Sequence, residues 1–262
     1  MTGEAERSAQ VFAPDTVHAD AVFPAVNVEP RLDGQRPRFL ILHYTGMSCA
    51  KKAVRWLACA ESRVSCHYVL DEDGAITQLV PERLRAWHAG LSVWDGITDI
   101  NSASIGIEIQ NPGHEDGYPD FPPAQMAAVA RLAADICQRN EIAPRDVLAH
   151  SDIAPHRKID PGEKFDWSQL ALSGVGHWVP PEPVDASDLG FDPGYAGPAV
   201  TEIQAGLASY GYGVPRTGVL DTETVSVLRA FQRHFRPARV DGRLDGSTAR
   251  TLTRLLSRLC ST

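Results

Sequence analysis

The sequence predicts an α/β protein: a central mixed β-sheet flanked by helices, followed by a small three-helix C-terminal domain. Three observations carry this reading. A continuous apolar run at 39–42, the alternating stretch "SIGIEIQN" at 104–111 and a short stretch at 146–149 suit strands. Between them lie stretches with helical spacing, most clearly Pro123 to Arg139, where Met126, Val129, Ala130, Ala133, Ile136 and Cys137 form one stripe. Strands interleaved with helices define an α/β layer whose loops at strand ends carry the functional groups. Finally, a Pro-, Gly- and Asp-rich stretch separates this body from a tail with its own internal echo.

Residues 1–30 show no sustained period and read as an arm that wraps the surface or is partly disordered. The body spans 31–172. Its first core strand is Phe39-Leu40-Ile41-Leu42, which ends at His43, and Ala53, Val54, Trp56, Leu57 and Ala60 then recur at helical spacing. Ser65 to Leu70 and Ala75 to Val80 form a strand pair joined by Asp71-Glu72-Asp73-Gly74, a hairpin signal. In "SIGIEIQN" the alternation of Ile105, Ile107 and Ile109 with Gly106, Glu108 and Gln110 makes one face apolar and places Glu108 on the other. Asp146 to Ala149 is a further strand, ending at His150.

Residues 173–197 read as a linker, and 198–262 as the helical module. Within the module Gly218-Val219-Leu220-Asp221 returns 24 residues later as Gly242-Arg243-Leu244-Asp245, with Thr224 matching Thr248 and Leu228 matching Leu252. Each Asp stands where a helix N-cap belongs.

The formal net charge of −8 argues against a general nucleic-acid binder, which needs surplus Lys and Arg on its binding face. The balance is uneven. From residue 196 onward nine Arg and no Lys face five acids, a surplus of +4 that leaves −12 on the rest. The tail arginines read most simply as a solvated face. No apolar run is long enough to span a membrane, and the opening residues lack the basic start and apolar centre of a signal peptide. The expectation is therefore a cytoplasmic location, with the periplasm as the alternative if a leader has been removed. Five cysteines without a C-x-x-C pair (Cys49, Cys59, Cys66, Cys137, Cys260) suggest buried thiols in a reducing compartment.

His43, His150 and Asp160 stand at strand or loop ends and are the right types for a catalytic zinc: two imidazoles, one carboxylate and an open fourth position. Spacing alone does not single them out, because a histidine at a strand end is commonly a hydrogen-bonded core residue. The surrounding words do. "ILHYTG", "VSCHYVLDEDGAITQLVPE", "RAWHAG", "SIGIEIQNPG" and "AHSDIAPHRKIDPG" occur in this order. Over about residues 30–172 the chain resembles the zinc-dependent N-acetylmuramoyl-L-alanine amidases of the AmpD/AmiD type, related in fold to peptidoglycan recognition proteins. The stretch "GVLDTETVSVLRAFQ" resembles the helical peptidoglycan-binding module that such enzymes often carry.

The resemblance implies that His43, His150 and Asp160 ligate zinc, that Glu108 is the general base, and that Lys158 stabilises the tetrahedral oxyanion. The residue chemistry agrees: a carboxylate on a polar strand face can shuttle a proton, and a cation in a water-poor cleft complements a developing negative oxygen. If the segment is extended, Lys158 and Asp160 point to the same side. At position 156 the family's small residue, often glycine, is replaced by His156. Tyr44, His88, His156 and Arg157 are candidate substrate contacts, as are Trp87 and Trp94 with a core role as the alternative, while His67 reads as structural. The implied reaction is hydrolysis of the amide between N-acetylmuramic acid, including its 1,6-anhydro form, and L-alanine of the stem peptide, in peptidoglycan turnover and recycling. The partners are then muropeptides. Two other readings stand beside it: a non-catalytic peptidoglycan sensor, which would lack a ligand, and a zinc hydrolase acting on an unrelated amide.

Overall fold

The computed structural model of the protein describes residues 11–259. Cys260 and the first ten residues of the expected arm lie outside the described residues. The chain forms two compact units, one built from residues up to 90 together with 101–143, the other from 91–100 together with 144 onward.

The first unit runs β1 (Ala21–Val22), β2 (Val28–Pro30), β3 (Phe39–Tyr44), α1 (Ala50–Ala58), β4 (Tyr68–Leu70), β5 (Ile76–Gln78), β6 (Leu84–Ala86), the short α2 (Ile100–Ala103), β7 (Ser104–Ile109) and α3 (Pro123–Asn140). Five strands bond in the order β1-β5-β4-β7-β3. The sheet is mixed, as expected: β7 is parallel to both β3 and β4, whereas β4 and β5 are an antiparallel hairpin. Gly74 closes that hairpin at φ +90°, and a Cβ there would lie 2.9 Å from the carbonyl of Ala124, so conformation and space both call for glycine.

Register decides which side chains share a face. Ile41 and His43 stand opposite Gly106 and Glu108, and Glu108 in turn stands opposite Val69. Val69 packs with Ala50, Ala53 and Leu57 of α1, and α3 packs on β3 and β4. The expected α1 stripe differs at Trp56, which is exposed, and at Ala60, which is exposed and lies beyond the helix; Ala50, Ala53, Leu57 and Ala58 form the buried face. The described part of the arm is ordered into the fold, with β1 parallel to β5 and β2 antiparallel to β6. Arg31, at its end, is buried and donates to the carbonyls of Glu82, Ser102 and Ser104.

The second unit contains β8 (Val147–Ala149), α4 (His150–Ile153), α5 (Trp167–Leu172), α6 (Pro198–Tyr210), α7 (Thr222–Phe235) and α8 (Gly246–Leu259). Asp221 and Asp245 cap α7 and α8, accepting from the N–H of Thr224 and Thr248 at 2.8 and 2.6 Å. The repeat goes further than its turns. Gln204 takes the Gly218 N–H on its oxygen and donates to Val219 O and Thr224 Oγ1; Gln232 takes the Gly242 N–H and donates to Arg243 O and Thr248 Oγ1. Each buried amide clamps one copy of the turn.

The stretch 173–197 is a strap rather than a free spacer. Its Glu182 N–H donates to Thr251 Oγ1, Ser247 donates to Glu182 O, and Arg254 reaches Pro180 O and the Glu182 carboxylate. The tail arginines are likewise not simply solvated: Arg236 is fully buried and, with Arg239, holds Asp245. Segment 91–97 also packs on the helical module. Trp94 is fully buried against Tyr210 and Tyr212, and a Cβ on Gly211 would sit 2.6 Å from its indole.

These clamps predict graded losses. Asp221→Ala should lower stability by about 1 kcal/mol through the lost cap. Gln232→Ala should cost more, about 2–3 kcal/mol, because it leaves buried backbone groups without a partner. Urea denaturation of the two variants checks the order.

Candidate metal centre

His43 lies near the end of β3, buried, with Nε2 2.9 Å from Nδ1 of His88. Nε2 of His88 is in turn 3.1 Å from the Ser104 hydroxyl. If His88 carries its proton on Nε2 and donates to Ser104, His43 donates Nε2–H to His88, and Nδ1 of His43 is the ring atom with the lone pair a cation needs. Gly106 is required beside this chain, since a Cβ there would come within 2.5 Å of the His88 ring. Glu108, half-buried, is the register partner of His43 on the neighbouring parallel strand. Tyr44, the next residue of β3, faces a group that the sequence did not single out: its hydroxyl is 3.1 Å from Nδ1 of His114, which stacks on Tyr118 at 3.9 Å.

In the second unit Nδ1 of His150 lies 3.0 Å from Oδ2 of Asp160, both residues buried. The Ser151 N–H bonds the Asp160 carbonyl, which joins α4 to the loop carrying the carboxylate. Residues 155–157 make a turn, so the segment is not extended throughout; the Lys158 N–H closes onto Ala154 O. Lys158 is half-buried and His156 exposed. The Arg157 guanidinium bonds the Leu91 carbonyl through Nε and Nη2, at 3.0 and 2.6 Å.

Asp152, two residues beyond His150, is a residue that sequence reasoning passed over. It is buried, and three donors meet its carboxylate: the Ala149 N–H at 2.8 Å, Nδ1 of His234 at 2.7 Å and the Tyr212 hydroxyl at 2.6 Å. Burial, with the Asp152 charge beside it, holds the Tyr212 hydroxyl protonated well above its usual range. Nothing local in "HSDIAP" could have pointed to this, since two of the donors lie 60 and 82 positions away.

His150 and Asp160 each offer one ligand atom in the second unit, and His43 offers one in the first. Two ligands of a tetrahedral zinc bonded at ~2.0–2.1 Å stand roughly 3.3 Å apart. The His150–Asp160 separation is close to that, and two imidazoles with one carboxylate make a donor set that leaves a fourth position open.

The fold and this donor set define the class of protein, and comparison with known proteins defines the family. Residues 33–163 match the family described as N-acetylmuramoyl-L-alanine amidase, and residues 196–252 match a second, described as "Putative peptidoglycan binding domain". The N-acetylmuramoyl-L-alanine amidase AmiD of Escherichia coli K12 is 37% identical over 235 residues, 85% of this chain and 83% of that protein. Its solved complex with the substrate anhydro-N-acetylmuramic acid-L-Ala-D-gamma-Glu-L-Lys superposes with TM-score 0.71 at 37% identity, over 87% of this chain and 92% of that one. AmpDh3 of Pseudomonas aeruginosa, solved with anhydromuramic pentapeptide, gives TM-score 0.73 at 36% identity over 86% and 93%. The chain belongs to the N-acetylmuramoyl-L-alanine amidase family.

Other candidates have structural surroundings. Trp87 donates from Nε1 to Glu29, and Trp94 is core. Of the described cysteines, Cys66 is buried, Cys59 and Cys137 are half-buried and Cys49 is exposed, so the expectation of buried thiols holds in full only for Cys66 among them. His67 is fully buried. It accepts the Gly106 N–H on Nδ1 at 3.0 Å, so Nε2 carries the proton and donates to Leu84 O at 3.1 Å. Arg31 Nη2 lies 3.3 Å from that nitrogen. Burial first, and the Arg31 charge second, lower the His67 pKa to about 3. Its contribution to stability is then complete above about pH 6.5 and is lost as pH falls toward 3, with a slope of about 1.4 kcal/mol per pH unit. Urea titrations of wild type and His67→Gln between pH 6.5 and 4 should differ by that slope; parallel curves would contradict the assignment.

Proposed function

We propose that this protein hydrolyses the amide joining N-acetylmuramic acid to the stem-peptide L-alanine, with soluble 1,6-anhydro muropeptides as substrates and zinc as its metal. The observation that carries the reading is the likeness, over 92% of the relative's solved chain, to an amidase bound to an anhydro-N-acetylmuramyl tripeptide. The donor set at His43, His150 and Asp160 supports the metal. A sensor that had lost a ligand is disfavoured, because both imidazoles and the carboxylate are present.

His43, His150 and Asp160 would hold the ion. When bound, zinc polarises the scissile carbonyl and lowers the pKa of water to roughly 7. Glu108, fixed beside His43 by strand register, takes a proton from the attacking water and returns it to the departing L-alanine amine. Lys158 offers the charge that offsets the negative oxygen of the tetrahedral intermediate. With His88 donating from Nε2 to Ser104, its contact with His43 leaves the lone pair of the His43 ring on Nδ1.

Anhydro-muramyl tripeptide incubated with the protein should yield anhydro-N-acetylmuramic acid and a peptide with a free L-alanine amine; mass spectrometry reads both products. Chelation should stop release and added zinc restore it. Asp160→Ala should lose zinc and activity together, and full metal content in that variant would remove Asp160 from the ligand set. Glu108→Gln should retain zinc with turnover lowered at least ~10²-fold. Lys158→Ala should also spare the metal and lower kcat by a factor on the order of 10²–10³. Near-normal kcat in either would assign that role to another group.

A further inference from the structure

We propose that His234, on α7 of the C-terminal helical module, is a positioning residue for His150 and acts through Asp152. The inference rests on the reading of His150 as a zinc ligand. α4 is a single turn of four residues, too short to hold its own direction by helical bonding. Its start is fixed instead by Asp152, whose Oδ2 accepts the Ala149 N–H and so ties the turn to the residue just before His150. The direction of that carboxylate is set in turn by two side chains of the module, His234 Nδ1 on Oδ2 and the Tyr212 hydroxyl on Oδ1.

The His234 ring is itself held. It stacks on Trp167 with ring centres 3.7 Å apart and planes 21° apart, and it is almost wholly buried. The far end of α4 is tied to the same surroundings: the Ile153 carbonyl accepts the Val93 N–H, and the neighbouring Trp94 pairs with Tyr212. A module that served only to tether an enzyme to a polymer would need none of these buried polar contacts around a candidate metal ligand. Here it supplies two of the three donors to the carboxylate that orients the turn.

The test compares the full-length His234→Ala, His234→Asn and Tyr212→Phe variants with wild type, His150→Ala and the cap variant Asp221→Ala. Zinc affinity is measured by chelator competition, the ligand field from the visible spectrum of the cobalt-substituted protein, and kcat and KM on anhydro-muramyl tripeptide. His234→Ala should bind zinc about 10-fold or more weakly, shift the cobalt spectrum, and lower kcat with KM nearly unchanged. His234→Asn, which places an N–H where Nδ1 stood, should recover most of both. Tyr212→Phe should shift the spectrum in the same direction and less far. Asp221→Ala should melt earlier with wild-type zinc affinity and spectrum, which separates positioning from general loss of stability. Wild-type affinity and spectrum in His234→Ala and Tyr212→Phe, with zinc lost in His150→Ala, would overturn the positioning role alone. Zinc retained by His150→Ala would instead overturn the ligand assignment beneath it. Should His234→Ala fail to fold, the Asn and Phe variants decide.

Discussion

The parallel pairing of β3 with β7 is the constraint on which the first unit depends. Six consecutive residues, Phe39 to Tyr44, face Ser104 to Ile109 without interruption. Because side chains alternate, a slip of one residue would turn the apolar set outward and carry His43 and Glu108 to opposite faces. The buried Leu40, Leu42, Ile105 and Ile107 therefore do more than fill a core. Their burial energy locks the register, and the register places a carboxylate beside an imidazole that the backbone would otherwise leave free to vary.

Around His150 a different principle applies. The polypeptide there is short turns, with little repetitive hydrogen bonding of its own, so order comes from side chains that satisfy one another at a distance. Asp152 with its three donors is the clearest case; Asp245, held by Arg236 and Arg239 while capping α8, is another. A buried carboxylate is costly unless several donors meet it, and meeting that demand fixes several elements at once.

The sequence made the strands at 39–42 and 104–109, the hairpin at 71–74, the helix beginning at Pro123 and both Asp caps legible, because each is dictated by local periodicity or turn chemistry. His43 and Glu108 were readable as ends or faces of such strands. His150 was likewise readable as the end of a short strand and Asp160 as a loop residue, and the motif words around all of them joined them into one site. What stayed hidden depends on contacts far apart in the chain. The His43–His88 contact spans 45 positions, and the Asp152 network spans 82. The strap at 173–197 was hidden for the opposite reason, since its Pro- and Gly-rich composition describes the free chain well and says nothing of Thr251 or Arg254 waiting on α8. Gln204 and Gln232 were missed because glutamine is ordinarily a surface residue, and only the repeated turn each one clamps explains its burial.

The Asp152–His234 bond bears on how such a chain can change over generations. In this chain the joint includes a carboxylate whose donors belong to the module. A replacement module without a donor at the place of His234 would leave Asp152 buried with part of its charge unmet, and a body without the acid would leave the His234 Nδ1–H and the Tyr212 hydroxyl without this acceptor. Exchanging the module would therefore have to supply partners for positions 152, 212 and 234 together.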